Sequence, residues 1–145
     1  MSFQKFIVSY KYIDNKSFSQ KISWSLNYLK TIAKKYKIEI KINKLKKYSK
    51  KNYIFLFDDI GKLKKNFNLR FNIPLAKESF AIIPYKNNII IYANDYRGFI
   101  YAITEIADII KYSINNKLVI NTKIIEKPLT KIRSISKCFE SIDED

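Results

Sequence analysis

The sequence predicts an α/β protein, a two-layer sandwich in which two long helices cover one face of a mixed β-sheet. Two stretches, 17–36 and 95–113, carry apolar residues at the spacing of an amphipathic helix. Shorter stretches around them alternate apolar with polar residues or are apolar throughout, which is typical of strands. The chain has 145 residues, of which 47% are hydrophobic, so one domain with a substantial core is expected.

The first half of the chain predicts the first helix and three of the strands. Residues 2–13 alternate in polarity and indicate the opening strand. Ser17, with Gln20 three residues later, matches a capping box at the start of the helix. Segment 37–43 alternates isoleucine with polar residues, as a strand with one solvated face does. Segment 53–57 is apolar on both faces and predicts an interior strand.

The second half predicts a hairpin, the second helix and a last strand. Residues 58–77 have no clear period and indicate an irregular excursion with room for a short helical turn. Segments 78–85 and 88–94 are typical of a β-hairpin, and Asp95 is placed to cap the second helix. Segment 118–124 predicts the last strand. With both helices on one face of the sheet, the other face is left for solvent or a partner.

The charge balance is strongly basic, with a net charge of +15, and favours an anionic partner. Lysine supplies most of the 28 basic residues, whereas bidentate recognition of bases and phosphates favours arginine. We therefore predict a solvated lysine surface whose nucleic-acid binding is weak and independent of sequence. A free-standing basic domain that binds nucleic acid or another anionic polymer is the alternative function. The arginines are Arg70, Arg97 and Arg133.

No stretch of the sequence is apolar for long enough to span a membrane, so no membrane association is expected. The first ten residues alternate in polarity and lack the apolar region of a secretory signal. We therefore expect a cytoplasmic protein.

The composition excludes several common catalytic sites. The chain has no histidine, one cysteine and two glycines, which removes the serine triad, the usual zinc site, a thiolate cluster and a glycine-rich phosphate loop. No metal, no cofactor and no catalytic residue is expected in this chain. The carboxylate pair Asp58 and Asp59 fits a loop. Trp24 could stack on a sugar, although buried or half-buried packing is the expectation for a single helical tryptophan.

The dipeptide Arg97-Gly98 stands at the predicted start of the second helix, where neither residue is favourable. Glycine costs about 1 kcal/mol of helix propensity relative to alanine, which a close approach of neighbouring backbone would justify. Arginine at a helix N-terminus opposes the helix dipole, which a carboxylate such as Glu78 or Asp95 would offset. The junction is therefore predicted to hold the helix to the sheet, or this domain to another.

The stretch 78–110, "ESFAIIPYKNNIIIYANDYRGFIYAITEIADII", resembles the non-catalytic α/β domain that precedes the barrel in glycoside hydrolase family 20, the β-N-acetylhexosaminidases, and in related carbohydrate-processing enzymes. The resemblance implies that residues 1–126 are such an accessory domain. Its structural or domain-interface residues would be Glu78, Asp95, Arg97 and Gly98.

Residues 127–145 resemble the connector that leads into the first strand of that family's catalytic (β/α)8 barrel. The resemblance implies that they are this connector and the start of a barrel that is missing or truncated. The resemblance places Arg133 at a position that contacts sugar hydroxyls, although the family's usual Arg-Gly is Arg133-Ser134 here. The implied partner is a catalytic barrel, in cis or in trans, and carbohydrate would be bound only through the parent glycoside hydrolase. The barrel would supply the reacting carboxylates, and this domain would stabilise it.

Overall fold

The computed structural model describes residues 4–43, 52–68, 76–113 and 116–126, and it has the element order that the sequence predicts. A short helix occupies part of the stretch predicted to be irregular. The elements are β1 (Gln4–Ser9), α1 (Ser17–Lys35), β2 (Ile38–Asn43), β3 (Asn52–Phe57), α2 (Ile60–Asn66), β4 (Phe80–Tyr85), β5 (Asn88–Tyr92), α3 (Tyr96–Lys111) and β6 (Ile124–Glu126).

The described strands form one mixed sheet in the order β2-β1-β3-β5-β4-β6. Strands β2, β1, β3 and β5 are parallel, β4 is antiparallel to β5, and β6 is antiparallel to β4. Val8 of β1 pairs with Ile42 on one side and with Ile54 on the other. Strand β3 lies between β1 and β5, as its apolar character on both faces predicts, and the hairpin of β4 and β5 is confirmed.

Helices α1 and α3 pack on the same face of the sheet, which confirms the predicted two-layer α/β sandwich. Every second residue of the strands faces the helices, and the helices contribute residues three or four positions apart. Side chains at these two spacings lie on one face of a strand and of a helix, respectively. Each fully buried isoleucine or leucine contributes about 1.5–3 kcal/mol. This core includes Val8, Ile38, Ile54, Leu56, Ile82 and Ile91 of the sheet and Ile22, Leu26, Leu29, Phe99, Ile103, Ile106 and Ile110 of the helices.

The opposite face of the sheet also carries buried residues, although it was expected to face solvent or a partner. Leu63 of α2 packs there against the alternate residues of the strands, among them Phe55 and Ile90. Tyr12 stacks on Phe57 with ring centroids 4.3 Å apart, which adds an aromatic contact to the same cluster. The double-sided apolar character of β3 therefore reflects two cores, one on each face.

The predicted capping box at Ser17 and Gln20 is wrong. Ser17 is the first residue of α1, and the preceding Lys16 has helical dihedral angles and provides no side-chain cap. The amide and the hydroxyl of Ser17 instead both donate to Oδ1 of Asn15, at 3.1 and 2.7 Å. A residue two positions earlier thus takes over the acceptor role, since short polar side chains readily bond to nearby backbone.

The last strand, predicted over 118–124, is also misplaced, because β6 is short and covers Ile124–Glu126. Leu118 is buried, but its backbone bonds to a side chain instead of a strand. Its amide donates to Oε1 of Gln4 at 2.7 Å, and its carbonyl accepts from Nε2 of Gln4 at 3.0 Å. The amide group of Gln4 satisfies the backbone as a neighbouring strand would, so the apolar pattern was right about burial and wrong about pairing.

Candidate functional site

Asp95 joins the start of β4 to the start of α3. Its backbone is extended, and its Oδ1 accepts a hydrogen bond from the amide of Gly98 at 2.8 Å, which makes it the N-cap of the helix. Its Oδ2 accepts from the amide of Glu78 at 2.9 Å. One carboxylate therefore fixes two segments that are far apart in sequence, and the predicted cap is confirmed.

Gly98 lies where the first turn of α3 passes closest to the chain before β4. A Cβ atom at this position would clash with the carbonyl oxygen of Ser79 and would lie 2.8 Å from Cβ of Ala93. The glycine has no positive φ, so its value here is the missing side chain and not its conformational freedom. The helix can approach the sheet this closely only because residue 98 has no Cβ.

Arg97 forms an ion pair with Glu78 beside this contact, with Nη1 2.9 Å from Oε1. The Arg97 side chain is 59% exposed and that of Glu78 is 29% exposed, so the pair lies at the surface. Hydrogen bonds to the side chains of Tyr96 and Glu78 raise the pKa of Arg97, which is therefore charged at every physiological pH. Glu78 has a φ of 63°, a left-handed conformation that is unfavourable for a residue with a side chain.

The four predicted structural residues thus converge at one end of α3, as the resemblance over 78–110 suggested. They are Glu78, Asp95, Arg97 and Gly98. Their packing partner, the backbone carbonyl of Ser79, was not anticipated, because nothing in a sequence marks a carbonyl as a close contact. A role of these residues at a domain interface stays a prediction. Arg133, the predicted sugar-contacting residue, lies outside the described residues, as do all of 127–145.

The carboxylate pair Asp58 and Asp59 follows β3, and both side chains accept hydrogen bonds from backbone amides. Both oxygens of Asp58 accept hydrogen bonds from the amides of Asp14 and Asn15 at 2.8–3.0 Å. Oδ1 of Asp59 accepts from the amide of Gly61 and caps α2. A cavity of about 450 Å³ opens beside them. Their hydrogen bonds support the expected loop role, in which carboxylates bind backbone donors.

Trp24 is exposed, contrary to the expectation that it is buried or half-buried. Its side chain is 69% exposed, and its ring lies nearly parallel to that of Tyr28, at 17° and 6.5 Å between centroids. The spacing of four residues along α1 brings these two rings together. That spacing is visible in the sequence, and it is the signal that could have identified an aromatic pair instead of a single tryptophan.

A second, lysine-rich groove of about 640 Å³ runs between the second half of α1 and the edge strand β2. Its lining includes Lys30, Lys34, Lys37 and Lys41. Within the described ranges, no three histidine, cysteine, aspartate or glutamate side chains are grouped as a metal site would require. In the same part of the chain, none of the helices combines the length and apolar character needed to cross a bilayer.

No family model and no curated protein matches this sequence. Among solved structures, the chain is similar to a GH138 enzyme targeting pectin rhamnogalacturonan II, with a TM-score of 0.56 and 18% identity over 86% of this chain. A β-N-acetylhexosaminidase from Bacteroides fragilis NCTC 9343 aligns over 86% of the chain with 19% identity and a TM-score of 0.47.

The chain spans 12% of the length of the GH138 enzyme and 20% of that of the hexosaminidase. At this identity the likeness to the GH138 enzyme concerns the fold. The fold of this chain thus also occurs as a small part of a much larger glycoside hydrolase.

Proposed function

We propose that this chain is an accessory, non-catalytic α/β domain of a carbohydrate-processing enzyme of the glycoside hydrolase class. The observation that carries the proposal is the shared fold, which covers 86% of this chain and only 12% of the GH138 enzyme. In this proposal, the rest of the parent enzyme carries the chemistry. The partner in this proposal is a catalytic (β/α)8 barrel, in cis or in trans.

In this function, the start of α3 is the contact region for the catalytic domain. The backbone on both sides of the Arg97–Glu78 ion pair is held in place. Asp95 bonds to both backbone segments, and Gly98 allows them to pack closely. The side chain of Arg97 is more than half exposed, and its guanidinium carries five N–H donors. A partner surface that covers the pair would desolvate it, so that removing either residue would leave the other charge buried and unpaired.

The finer proposal is a parent enzyme of the β-N-acetylhexosaminidase type. It is supported by the stretch 78–110, in which Glu78, Asp95 and the dipeptide Arg97-Gly98 match that family's accessory domain. In such a parent, Arg133 would be the residue of this chain that contacts a sugar hydroxyl. Its test is hydrolysis of an aryl N-acetylglucosaminide by the parent enzyme, compared with its Arg133→Ala variant.

The experiment for the accessory role combines this chain with the catalytic barrel encoded in its own genome. We expect the chain to raise the melting temperature of the barrel without adding any hydrolysis of aryl glycosides when assayed alone. Arg97→Ala should weaken this stabilisation, whereas Lys64→Ala, an exposed change on α2, should not. A barrel whose melting is unaffected by the chain, or turnover by the chain that disappears in Asp58→Asn, would refute the accessory role.

The lysine-rich groove favours a second candidate, a basic domain that binds an anionic polymer. Four lysines line this groove, and the chain as a whole carries a net charge of +15. If the accessory role holds instead, scattered lysines bind polyanions only through release of counterions, so the binding should be weak, independent of sequence and steeply reduced by salt. Fluorescence anisotropy with labelled oligonucleotides at physiological salt tests this candidate, and tight, sequence-selective binding would place it ahead of the accessory role.

A further inference from the structure

The outer surface of the helical layer carries an exposed group of aromatic side chains. Trp24 and Tyr28 of α1 and Tyr112 at the end of α3 are 69%, 37% and 85% exposed. Among the described residues, the only other large hydrophobic side chain this exposed is Val119. Water-facing aromatic rings of this size are unusual, and a concentration of them on one surface indicates a binding role.

Two features orient the rings. The planes of the Trp24 and Tyr28 rings are within 17° of parallel, so the two rings share one orientation. The hydroxyl of Tyr28 accepts a hydrogen bond from Nζ of Lys111 at 2.7 Å, which links α1 to the last turn of α3. Lys111 also lies 3.9 Å from Oδ1 of Asp108. The edge of the aromatic surface therefore offers a cationic donor and a carboxylate acceptor close together.

We propose that Trp24 and Tyr28 form a stacking surface for the sugar rings of a glycan, with Lys111 and Asp108 binding hydroxyl or carboxylate groups at its edge. One face of a pyranose carries several C–H groups with partial positive charge, which are attracted to the negative face of an aromatic ring. Its hydroxyls project sideways and need both donors and acceptors. The surface supplies both requirements on an open face of the domain.

The surroundings of the rings favour a glycan over a protein partner. The exposed residues next to Trp24 on α1 are small, polar or charged, whereas the centre of a protein–protein interface is depleted in lysine and serine. They are Gln20, Lys21, Ser23 and Asn27. A glycan needs only a narrow apolar strip with polar flanks. The choice of a glycan over a nucleobase rests on the carbohydrate context of the proposed function, and the experiment separates the two.

The experiment uses the fluorescence of Trp24, which is the chain's single tryptophan. The whole chain is titrated with a chitin hexasaccharide, with an oligogalacturonate and with an oligothymidylate. We expect one or both glycans to change the emission of Trp24 in a saturable way that persists in physiological salt. Tyr28→Ala should weaken that binding about tenfold, as the loss of one stacked ring does.

Two controls make the result specific. Trp24→Ala, whose fold is checked by circular dichroism, should lose glycan binding in calorimetry, and Val119→Ala should keep it. A response to oligothymidylate alone, no response to either glycan, or an affinity unchanged by Tyr28→Ala would overturn the proposal. The titration needs no catalytic barrel, so it can succeed or fail independently of the barrel-stabilisation experiment.

Discussion

Helices α1 and α3 lie side by side on one face of the sheet, yet they begin in different ways. Helix α3 begins at an extended Asp95 whose two carboxylate oxygens bind the helix and the start of β4. Helix α1 begins after Lys16, which has φ −60° and ψ −25° and caps nothing with its side chain. The cap of α3 therefore binds a second segment directly, whereas the first residue of α1 bonds to the nearby side chain of Asn15, whose backbone amide is in turn held by Asp58.

The C-terminal end of α1 has a left-handed residue that is not glycine. Lys37, just after the C-cap Tyr36, has a φ of 63°, in the region where helices commonly place glycine. The chain has one of its two glycines at Gly98 instead, where a side chain would meet backbone. The glycine is thus used where a Cβ atom does not fit, whereas a left-handed backbone is tolerated without glycine both at Lys37 and at Glu78.

The largest expected effect comes from filling the space at Gly98. Gly98→Val should destabilise the chain by about 1–3 kcal/mol in urea denaturation, because the new side chain must displace the carbonyl of Ser79 or Ala93. Gly98→Ala should also destabilise it, although alanine is the better helix former, because the clash already involves Cβ.

Gly61 of α2 provides the matched control, because Gly61→Ala can be compared directly with Gly98→Ala. A Cβ there would lie 3.2 Å from the side-chain oxygen of Asp59 and would touch no backbone at such short range. Gly61→Ala should therefore change the stability by at most about 1 kcal/mol in either direction. A Gly98→Val variant as stable as the wild type would show that the close approach has no energetic weight.

The next effect compares the two helix starts directly. Asp95→Ala should cost about 0.5–2 kcal/mol, towards the upper end, because it removes the cap of α3 and leaves the amide of Glu78 without this acceptor. Asn15→Ala should cost less, since its hydrogen bonds at the start of α1 are exposed. Equal losses in thermal melts would contradict the conclusion that the side chain of Asp95 stabilises its helix start more than the side chain of Asn15 does.

The sequence was sufficient for those features that repeat along the chain. The period of α1 and α3, the double-sided apolar run of β3 and the hairpin with Asp95 beyond it all follow from local patterns. Features that depend on one long-range contact were missed. The pairing of Gln4 with Leu118 replaced a predicted strand, and the exposure of Trp24 depends on how α1 is rotated against the sheet.

The candidate site shows the same division. Asp95 could be identified as a cap from its position before an apolar helical pattern, and Gly98 as a close contact from its cost in a helix. The identity of the contact, the carbonyl of Ser79, required the fold. The left-handed φ of Glu78 has no signature in the sequence, since asparagine or glycine is the usual residue in that conformation.

A substitution at the end of α1 should stabilise the chain. Lys37→Gly removes the side chain from a left-handed residue and should raise the free energy of unfolding by about 1 kcal/mol. Lys35→Gly, in the last turn of the same helix, should lower it by about the same amount. A loss of stability in Lys37→Gly would indicate that the lysine side chain makes a favourable contact that outweighs the backbone strain.

The smallest effect is expected from the ion pair of Arg97 and Glu78 in the isolated chain. Arg97 is mostly exposed, and solvent screens such pairs, so Arg97→Ala should lower the melting temperature less than any of the destabilising changes above. A double-mutant cycle with Glu78→Ala separates the pair from its surroundings, and near-additive losses are expected in the isolated chain. In the complex with a catalytic barrel the pair would be desolvated, and the same cycle should then show clear coupling, because removing one partner leaves the other charge buried. Strong coupling in the isolated chain, or additive losses in the complex, would contradict the assignment of this pair to the domain interface.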